Sequence, residues 1–397
     1  MPLSLKHVVT VKPGKESFII ENRHPWIFSG AIETMPEDLM RGDLAYVKSV
    51  QGDFLAIAYF HPKHSLTGRV LSLVEAPILE ILRRKFQKAL ELRTEFVISA
   101  KTDCYRWIHA EADGLPGLIV DVYGSCLVVQ ISTMGMERLR QEIVHILQEY
   151  YPEYVIFEKS TSHARLLEGL EPVERVLIGT LPSELLVKEE GVHFCVSLSL
   201  GQKTGLFLDQ REMRKMIREL ARGKCVLNCF AYTGGFSLYA LQGGADMVTS
   251  VDTCPVATQF AEKNTYLNGF SLQQHRIVRE DVFAFLDRES LISYDLIIID
   301  PPAFAKSRKD VEAACKGYHT LLERVFIKCR SGTIVLFSSC SYFVDMILLE
   351  QIAFGAAKKS NCNVHVLGRH RDALDHPVSL FHPEGRYLKS LLLWVDI

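Results

Sequence analysis

Several patterns that would mark a metal-binding, secreted or membrane protein are absent from the chain. Among its ten cysteines no two are separated by only two residues, and the closest pair, Cys225 and Cys229, lacks the partners of a zinc site. No apolar run reaches the ~18 residues that a membrane span needs. Residues 1–6 lack the apolar core of a signal peptide. These absences predict no metal, no membrane segment and a reducing, cytoplasmic compartment.

An excess of charge of one sign is also absent. The 45 Lys and Arg residues nearly balance the 47 Asp and Glu residues, which gives a net charge of -2. This balance argues against a generally basic nucleic-acid binder, although it leaves room for a local basic patch. With 48% hydrophobic and 23% charged residues, the chain is typical of a folded globular protein. Its 397 residues are enough for two or three domains.

Three segments of the chain carry different patterns. Residues 1–72 contain short apolar runs separated by glycine-containing turns, which predicts a small β domain. Residues 73–190 combine a helical pattern over 79–96 with a hairpin pattern around 123–125, which predicts a central α+β domain. Residues 191–397 alternate between strands and helices, which predicts a parallel, doubly wound α/β sheet. Its expected strands are 225–230, 247–252, 276–279, 295–300 and 333–337, followed by a pair near 363–367 and 388–395.

Two of these expected strands end in residues that could react. Asp300 ends one strand and is followed by Pro301 and Pro302, and Cys340 follows the next strand among several serines. Because ligands bind outside the carboxyl ends of the strands in an open α/β sheet, the acid and the thiol are expected to face one crevice. This pair is suited to attack on an electron-poor ring and to its methylation, provided that the fold also binds a methyl donor.

The ends of the first three strands in the sheet segment suggest a binding site for S-adenosylmethionine. Gly234 and Gly235 allow a close approach of the backbone, but the Gly-x-Gly-x-x-Gly spacing of a dinucleotide site is absent. Asp252 could bind ribose hydroxyls, while Asp281 could bind the adenine amino group and Val282 could pack against the ring. Each acid could instead cap a helix. The predicted cofactor-binding residues are Gln210, Asn228, Phe230, Tyr232, Thr233, Gly234, Gly235, Asp252, Asp281, Val282 and Asp300.

Five longer strings resemble the bacterial 23S rRNA cytosine-5 methyltransferase family with an N-terminal PUA domain, a group of class I S-adenosylmethionine-dependent methyltransferases. They are residues 23–30, 111–121, 201–211, 300–307 (Asp-Pro-Pro-Ala-Phe-Ala-Lys-Ser) and 339–341 (Ser-Cys-Ser), in the family order. The resemblance covers nearly the whole chain. It implies a PUA-like RNA-binding domain at 1–72, a central domain at 73–190, a Rossmann-like methyltransferase domain at 191–397, and 23S ribosomal RNA as the partner.

The resemblance also implies roles for the strand-end residues. Addition of the Cys340 thiolate to C6 of cytosine would make C5 nucleophilic enough to accept a methyl group, and Asp300 would relieve the negative charge that develops on the ring. Many RNA cytosine-5 enzymes carry a second cysteine in the aspartate loop, where this chain has Ala303. Cys340 is therefore expected to be the sole nucleophile, and the base that removes the C5 proton is not identified.

Reaching the target base requires contacts to RNA. A cytosine within a helix hides C5 and C6, so the base must be flipped out or already unpaired. The predicted substrate-binding residues are Lys203, Arg211, Pro301, Pro302, Phe304 and Lys306, of which the three cationic ones could contact phosphate. A polar stretch over 370–387, similar to the family's C-terminal signature, could shape the substrate pocket or connect the last two strands.

Other functions remain open from the sequence alone. Related domains share the Asp-Pro-Pro-x-Phe loop, so methyl transfer to another RNA atom such as guanine N7 is an alternative that needs no thiol. A non-catalytic RNA-binding protein with a vestigial cofactor fold is a second alternative. A small-molecule methyltransferase is a third, although it gives no role to the first ~185 residues, more than an ordinary domain. The sequence leaves a homodimer open.

Overall fold

The chain divides into two units, and a late segment of the sequence belongs to the first of them. The computed structural model describes residues 5–201, 204–305 and 307–397. The first unit contains the described residues up to Ser183 together with Leu374–Gly385, and the second contains Glu184–Ala373 and Arg386–Ile397. The boundary proposed from the sequence at 72 falls between the two sheets of the first unit, and the boundary proposed at 190 falls within the second unit, which begins at Glu184.

The first sheet of the first unit is a mixed sheet built from short strands. Its six strands lie in the order β2-β6-β5-β4-β1-β3. They are β1 (His7–Val11), β2 (Trp26–Phe28), β3 (Ile32–Thr34), β4 (Leu44–Lys48), β5 (Phe54–Phe60) and β6 (Leu66–Ser72), with the helix α1 (Glu16–Ile20) after β1. Apolar side chains of β1, β4 and β5 form its core. The strands predicted from the runs in residues 1–72 are thereby confirmed.

The second sheet of the first unit packs against helices. Its five strands lie in the order β11-β10-β9-β8-β7. The elements are α2 (Ile78–Phe96), β7 (Cys104–His109), β8 (Leu118–Tyr123), β9 (Cys126–Ile131), α3 (Met134–Arg138), α4 (Arg140–Tyr150), β10 (Val155–Ser160), α5 (His163–Leu167) and β11 (Val173–Ile178). The predicted hairpin is confirmed, because β8 and β9 pair antiparallel with Tyr123 opposite Cys126.

The segment that rejoins the first unit accounts for most of the polar stretch at 370–387. The Asp375 carboxylate accepts from the backbone N–H of Arg106 at 2.9 Å, and the Asp375 carbonyl accepts from Arg93 at 2.9 Å. The ring of His382 packs edge-on against that of Trp26, with centroids 4.5 Å apart. Residues 374–385 therefore connect the last two strands of the chain and serve the packing of the first unit.

The second unit contains the predicted doubly wound sheet. It begins with the hairpin β12 (Leu185–Glu189) and β13 (Val192–Val196), and its seven-stranded sheet has the order β16-β15-β14-β17-β18-β20-β19. The strands of that sheet are β14 (Cys225–Cys229), β15 (Met247–Asp252), β16 (His275–Arg279), β17 (Leu296–Ile299), β18 (Ile334–Ser339), β19 (Asn363–Arg369) and β20 (Lys389–Asp396). The helices are α6 (Arg211–Leu220), α7 (Gly235–Gln242), α8 (Pro255–Leu267), α9 (Val282–Arg288), α10 (Val311–Lys328) and α11 (Met346–Lys359).

The order of the strands determines where a ligand can bind. β14 to β18 are all parallel to one another, whereas β20 runs antiparallel to both β18 and β19. The chain proceeds outward from β14 through β15 to β16, and then returns to the other side of β14 with β17. This reversal leaves a crevice at the carboxyl ends of β14 and β17, which is the usual ligand site of such sheets.

Two further features are absent from the described residues. No helix in that part of the chain is both long enough and apolar enough to cross a membrane. Within the same residues, no group of three or more His, Cys, Asp and Glu side chains is arranged to hold a metal ion.

Candidate active site

A cavity of about 210 Å³ lies at the carboxyl ends of the parallel strands. The loops that follow β14, β15, β17 and β18 all contribute to it, and every residue that lines it belongs to the second unit. The lining residues are Phe194, Leu206, Phe207, Asp209, Gln210, Arg214, Phe230, Ala231, Tyr232, Thr233, Gly235, Phe236, Asp252, Thr253, Cys254, Asp300, Pro301, Pro302, Cys340 and Leu388. The cavity thus brings the predicted catalytic pair together with most of the predicted cofactor-binding loop.

The loop after β14 has a strained backbone. Phe230 and Tyr232 adopt positive φ angles of 60° and 49°, and Gly234 has φ 83°. A positive φ is unfavourable for residues that carry a side chain, so surrounding contacts must maintain it. Tyr232 is held at both ends, because its N–H donates to Asp252 at 2.9 Å and its hydroxyl donates to the Gly205 carbonyl at 3.0 Å. These contacts fix the shape of the cavity wall.

Asp252, at the end of β15, is positioned by backbone N–H groups. Its Oδ2 accepts from the N–H of Tyr232, and its Oδ1 accepts from the N–H of Cys254, both at 2.9 Å. The residue is half-buried and lines the cavity. Each carboxylate oxygen has a second lone pair, so Asp252 can accept further hydrogen bonds from a ligand.

Asp300 is held by a neighbouring amide. The Gln210 side chain donates from Nε2 to Oδ1 of Asp300 at 3.0 Å, and both residues line the cavity. Pro301 and Pro302 follow Asp300 and line the same cavity. Because proline fixes its own φ and also restricts the residue before it, this sequence limits the backbone freedom of the Asp300 loop.

Cys340 lies between two serines that are bound into a network of hydroxyl groups. The Tyr318 hydroxyl, from α10, lies 3.1 Å from Ser339 Oγ and 2.8 Å from Ser341 Oγ. Ser341 Oγ also accepts from the backbone N–H of Ala305 at 3.2 Å, which ties the Cys340 loop to the Asp300 loop. Burial raises the pKa of Tyr318, so its hydroxyl keeps its proton at neutral pH. These hydrogen bonds fix the loop that carries the Cys340 thiol relative to the loop that carries the Asp300 carboxylate.

Several predicted site residues do not line the cavity. Asn228 is buried, where its amide donates to Ser237 Oγ at 2.9 Å, and Val282 lies in the core. Asp281 caps α9, since its side chain accepts from the N–H of Ala284 at 3.0 Å. Gly234 is the residue before α7, where it adopts the left-handed backbone conformation of the turn. Phe304 stacks on the ring of Tyr318, with centroids 4.7 Å apart, so it packs beneath its loop.

Of the three cationic residues predicted to contact RNA, the structure describes only Arg211, and it does not line the cavity. Arg211 is 2% exposed, and its Nε donates to the buried carboxylate of Glu189 at 3.1 Å. This position does not support the predicted phosphate contact, because the guanidinium is buried in an internal ion pair. Lys203 and Lys306 lie outside the described residues.

An ion-pair cluster behind the cavity was missed at the sequence level. The carboxylate of Glu189 is fully buried and accepts from Arg211, from Arg214 at 2.8 Å and from the Tyr239 hydroxyl at 2.9 Å. Arg214 also donates to the carbonyl of Phe207, a residue of the cavity wall, at 2.8 Å. The spacing of the two arginines along α6 shows a shared face, but nothing in the sequence connects it to an acid on β12.

Comparison with known proteins shows the family of the chain. Residues 176–375 match the family described as S-adenosylmethionine-dependent methyltransferases, and residues 9–73 match the PUA-like domain family. The chain belongs to the S-adenosylmethionine-dependent methyltransferases. Relatives named Ribosomal RNA large subunit methyltransferase I, from Erwinia tasmaniensis and Shigella dysenteriae, are each 36% identical over 382 residues, which cover 95% of this methyltransferase and 96% of theirs.

Solved structures extend the likeness to the whole fold. The crystal structure of SMU.776 complexed with SAH superposes on this methyltransferase with a TM-score of 0.83, at 25% identity, over 98% of this chain and 100% of that one. Trm5b from Pyrococcus abyssi shares the fold over 70% of this chain and 75% of its own, with a TM-score of 0.53 and 18% identity. The predicted fold class, a PUA-like domain followed by a Rossmann-like methyltransferase sheet, is therefore confirmed.

The cavity fits the cofactor that the family uses, S-adenosylmethionine. Among the described residues that line it there are three carboxylates, Asp209, Asp252 and Asp300, and the single cation Arg214 already pairs with Glu189. This balance favours a positively charged ligand over a phosphate. Buried oxygens of Gln210 and Thr233 have no hydrogen-bond partner among the described residues, as expected for atoms that meet a polar ligand. We propose that Gln210, Thr233 and Asp252 hold the cofactor.

Replacing Asp252 by alanine should weaken cofactor binding. Hydrogen bonds to a charged group contribute about 1.5–3 kcal/mol, so the dissociation constant for S-adenosylmethionine is expected to rise by about 10- to 100-fold. Titration calorimetry measures this change. Asp345→Ala is the matched comparison, because it also removes a carboxylate that accepts from a backbone N–H, that of Leu348 at 2.8 Å, but one outside the cavity lining, and its binding should stay near that of the wild type. Unchanged binding by Asp252→Ala would contradict the assignment.

Proposed function

We propose that this methyltransferase transfers a methyl group to C5 of a cytosine in 23S ribosomal RNA, through a covalent bond between Cys340 and C6. The observation that carries the proposal is that Cys340 and Asp300 line the same cavity as the cofactor loop. A direct transfer to a ring nitrogen would need no thiol there. The names of the relatives, Ribosomal RNA large subunit methyltransferase I, support RNA of the large ribosomal subunit as the substrate class.

In this mechanism the side chains activate the base. The sulfur of Cys340 donates an electron pair to C6, and the resulting enamine makes C5 nucleophilic. Asp300 is placed to relieve the negative charge that develops near N3 and the exocyclic amine. When bound, S-adenosylmethionine supplies an electrophilic methyl group on a positively charged sulfur. After C5 loses its proton, the S–C6 bond breaks and sulfur recovers its electron pair.

Cys340 is the sole nucleophile in this proposal. Ala303 stands where many related enzymes have a second thiol, and its side chain has no group that could attack the base or accept a proton. The hydroxyl network of Tyr318, Ser339 and Ser341 supports the proposal, because it fixes the loop that carries Cys340. A fixed nucleophile lowers the entropic cost of reaching the transition state.

The target cytosine must be unstacked to reach this cavity. Enzymes that act on a base inside a helix flip it out of the stack, and those that act on loops bind bases that are already exposed. We propose that the PUA-like domain contributes to RNA binding, with Pro301 and Pro302 shaping the entrance for the base. An rRNA substrate would place the enzyme in the cytoplasm, and a homodimer remains a prediction.

The nucleoside product tests the proposal directly. The enzyme is incubated with methyl-labelled S-adenosylmethionine and 23S ribosomal RNA that lacks modifications, and the RNA is then digested to nucleosides. We expect the label in 5-methylcytidine, because only carbon-5 transfer requires the thiol. Label in 7-methylguanosine or any other nucleoside would overturn the assignment. Ribosomal RNA of the small subunit is the matched substrate control and should remain unlabelled.

A further inference from the structure

Lys389 is a buried lysine at the base of the Cys340 loop. β20 pairs antiparallel with β18 in a register that sets Lys389 opposite Ser339, the residue before Cys340. Its Nζ donates to the carbonyl of Ser341, the residue after Cys340, at 2.6 Å, and to that of Tyr387 at 2.7 Å. With 4% of the residue exposed, the amine is shielded from water. Lys389 is thus attached to the chain on both sides of the thiol.

Within the part of the chain that the structure describes, Lys389 is a cation whose charge interacts with that of Cys340. Burial lowers the pKa of Lys389 to about 8, while the nearby charges of Cys340 and Asp345 act in the opposite direction. The amine is therefore mostly protonated at neutral pH. Burial also lowers the pKa of His370, which faces Lys389, so that imidazole is neutral under the same conditions.

Two further titratable groups face the thiol from other elements. Tyr318 approaches Cys340 from α10, and burial raises the pKa of its hydroxyl, which therefore stays neutral. Asp300 lines the same cavity from the loop after β17. Neither group brings a positive charge toward the sulfur.

We propose that Lys389 is a positioning residue that stabilises the thiolate of Cys340 for attack on the base. The proposal rests on the proposed function, since it assigns the counter-ion of the same nucleophile. When the S–H bond breaks, sulfur keeps the electron pair and the proton leaves to solvent, while Lys389 keeps its own proton throughout. When the S–C6 bond later breaks, sulfur recovers the pair beside the same ammonium. A neighbouring cation is an established way of lowering the pH at which a thiol ionises.

The pH dependence of Cys340 alkylation tests this role. Iodoacetamide reacts with the thiolate, and peptide mass mapping identifies Cys340 among the other cysteines. In Lys389→Met, which keeps the length of the side chain but removes its charge, we expect the midpoint of the rate profile to rise by about one pH unit or more. The rate near neutral pH should then fall about tenfold. Lys389→Arg keeps the charge and should recover part of the lost rate.

Lys328→Met is the matched control. The Lys328 amine also donates to backbone carbonyls, those of Leu286 at 2.6 Å, Asp287 at 2.5 Å and Glu289 at 3.5 Å, but none of them belongs to a neighbour of Cys340. Its profile should equal that of the wild type. An unchanged midpoint in folded Lys389→Met overturns the proposal and leaves Lys389 as a bridge between carbonyls. If that variant does not fold, the midpoint pH of Cys340 alkylation in the wild type is the test. A midpoint at or above roughly 8.5, the pKa of a free thiol, overturns the proposal, whereas a lower midpoint supports it.

The alkylation experiment contains neither RNA nor cofactor. Its outcome is therefore independent of the nucleoside that the enzyme methylates. A product other than 5-methylcytidine would reject the proposed function without moving the alkylation profile, and an unmoved profile would reject the role of Lys389 without changing the product.

Discussion

Replacing Cys340 by alanine should abolish methyl transfer to cytosine while leaving cofactor binding intact. Without the sulfur, no bond to C6 can form and C5 remains too weakly nucleophilic to accept a methyl group. Removal of a covalent nucleophile commonly lowers the rate by about 10⁴-fold or more, so the product should fall below detection. The measurement is 5-methylcytidine formed per enzyme under saturating S-adenosylmethionine.

A trapped complex provides the second readout for the same variant. With 5-fluorocytidine at the target position, C5 carries fluorine in place of the proton that must leave, so the adduct with Cys340 persists. Wild-type enzyme should give a covalent protein–RNA band in a denaturing gel, and Cys340→Ala should give none. Cys362→Ala removes another partly buried cysteine, which lies between α11 and β19, and should behave as wild type. Full activity of Cys340→Ala would remove the covalent mechanism and favour direct transfer to another atom.

Replacing Glu189 by alanine should destabilise the second unit strongly. The carboxylate is 0% exposed and neutralises two guanidinium groups that are themselves at least 95% shielded from water, Arg211 and Arg214. Loss of one member of a buried charge cluster leaves the others unpaired and typically costs about 3–5 kcal/mol. We expect the free energy of unfolding to fall by that amount in urea denaturation, followed by circular dichroism.

A surface ion pair is the appropriate comparison. Glu312 and Lys316 form an exposed pair one helical turn apart on α10, at 2.8 Å. Removing Glu312 should leave the urea midpoint unchanged within error, because solvent screens such pairs. If Glu189→Ala changed the free energy of unfolding as little as Glu312→Ala, the guanidinium groups of Arg211 and Arg214 would have to be paired with other groups or hydrated in that variant. The cluster would then not be what holds Phe207 in the cavity wall.

The parallel part of the sheet could be predicted closely from the sequence. Strands that are buried on both faces are continuous apolar runs, and the runs at 295–300 and 333–337 correspond to β17 and β18. Their carboxyl ends meet at one edge of the sheet, which is why Asp252, Asp300 and Cys340 line the same cavity as expected. Local patterns were therefore enough to predict that these three residues meet in one cavity.

Contacts between distant segments could not be predicted in the same way. Arg211 appeared to be a phosphate contact because nothing in the sequence shows that Glu189 on a hairpin neutralises it. Phe304 appeared to face the substrate, whereas its ring stacks on Tyr318 from α10. The inclusion of residues 374–385 in the first unit is a third case. Each depends on tertiary packing, which single-sequence patterns do not encode.

The position of β20 in the sheet has a consequence for the biosynthesis of the enzyme. It follows β19 in the sequence, yet it lies between β18 and β19. While the chain is being translated, one edge of β18 stays unpaired until β20 emerges from the ribosome. Unpaired strand edges are prone to aggregation. Lys389 and Leu388 arrive with the same segment, so the Cys340 loop acquires its neighbours only when the sheet closes. A nascent chain that stalls before β20 would hold the thiol but not the surroundings that we propose to activate it.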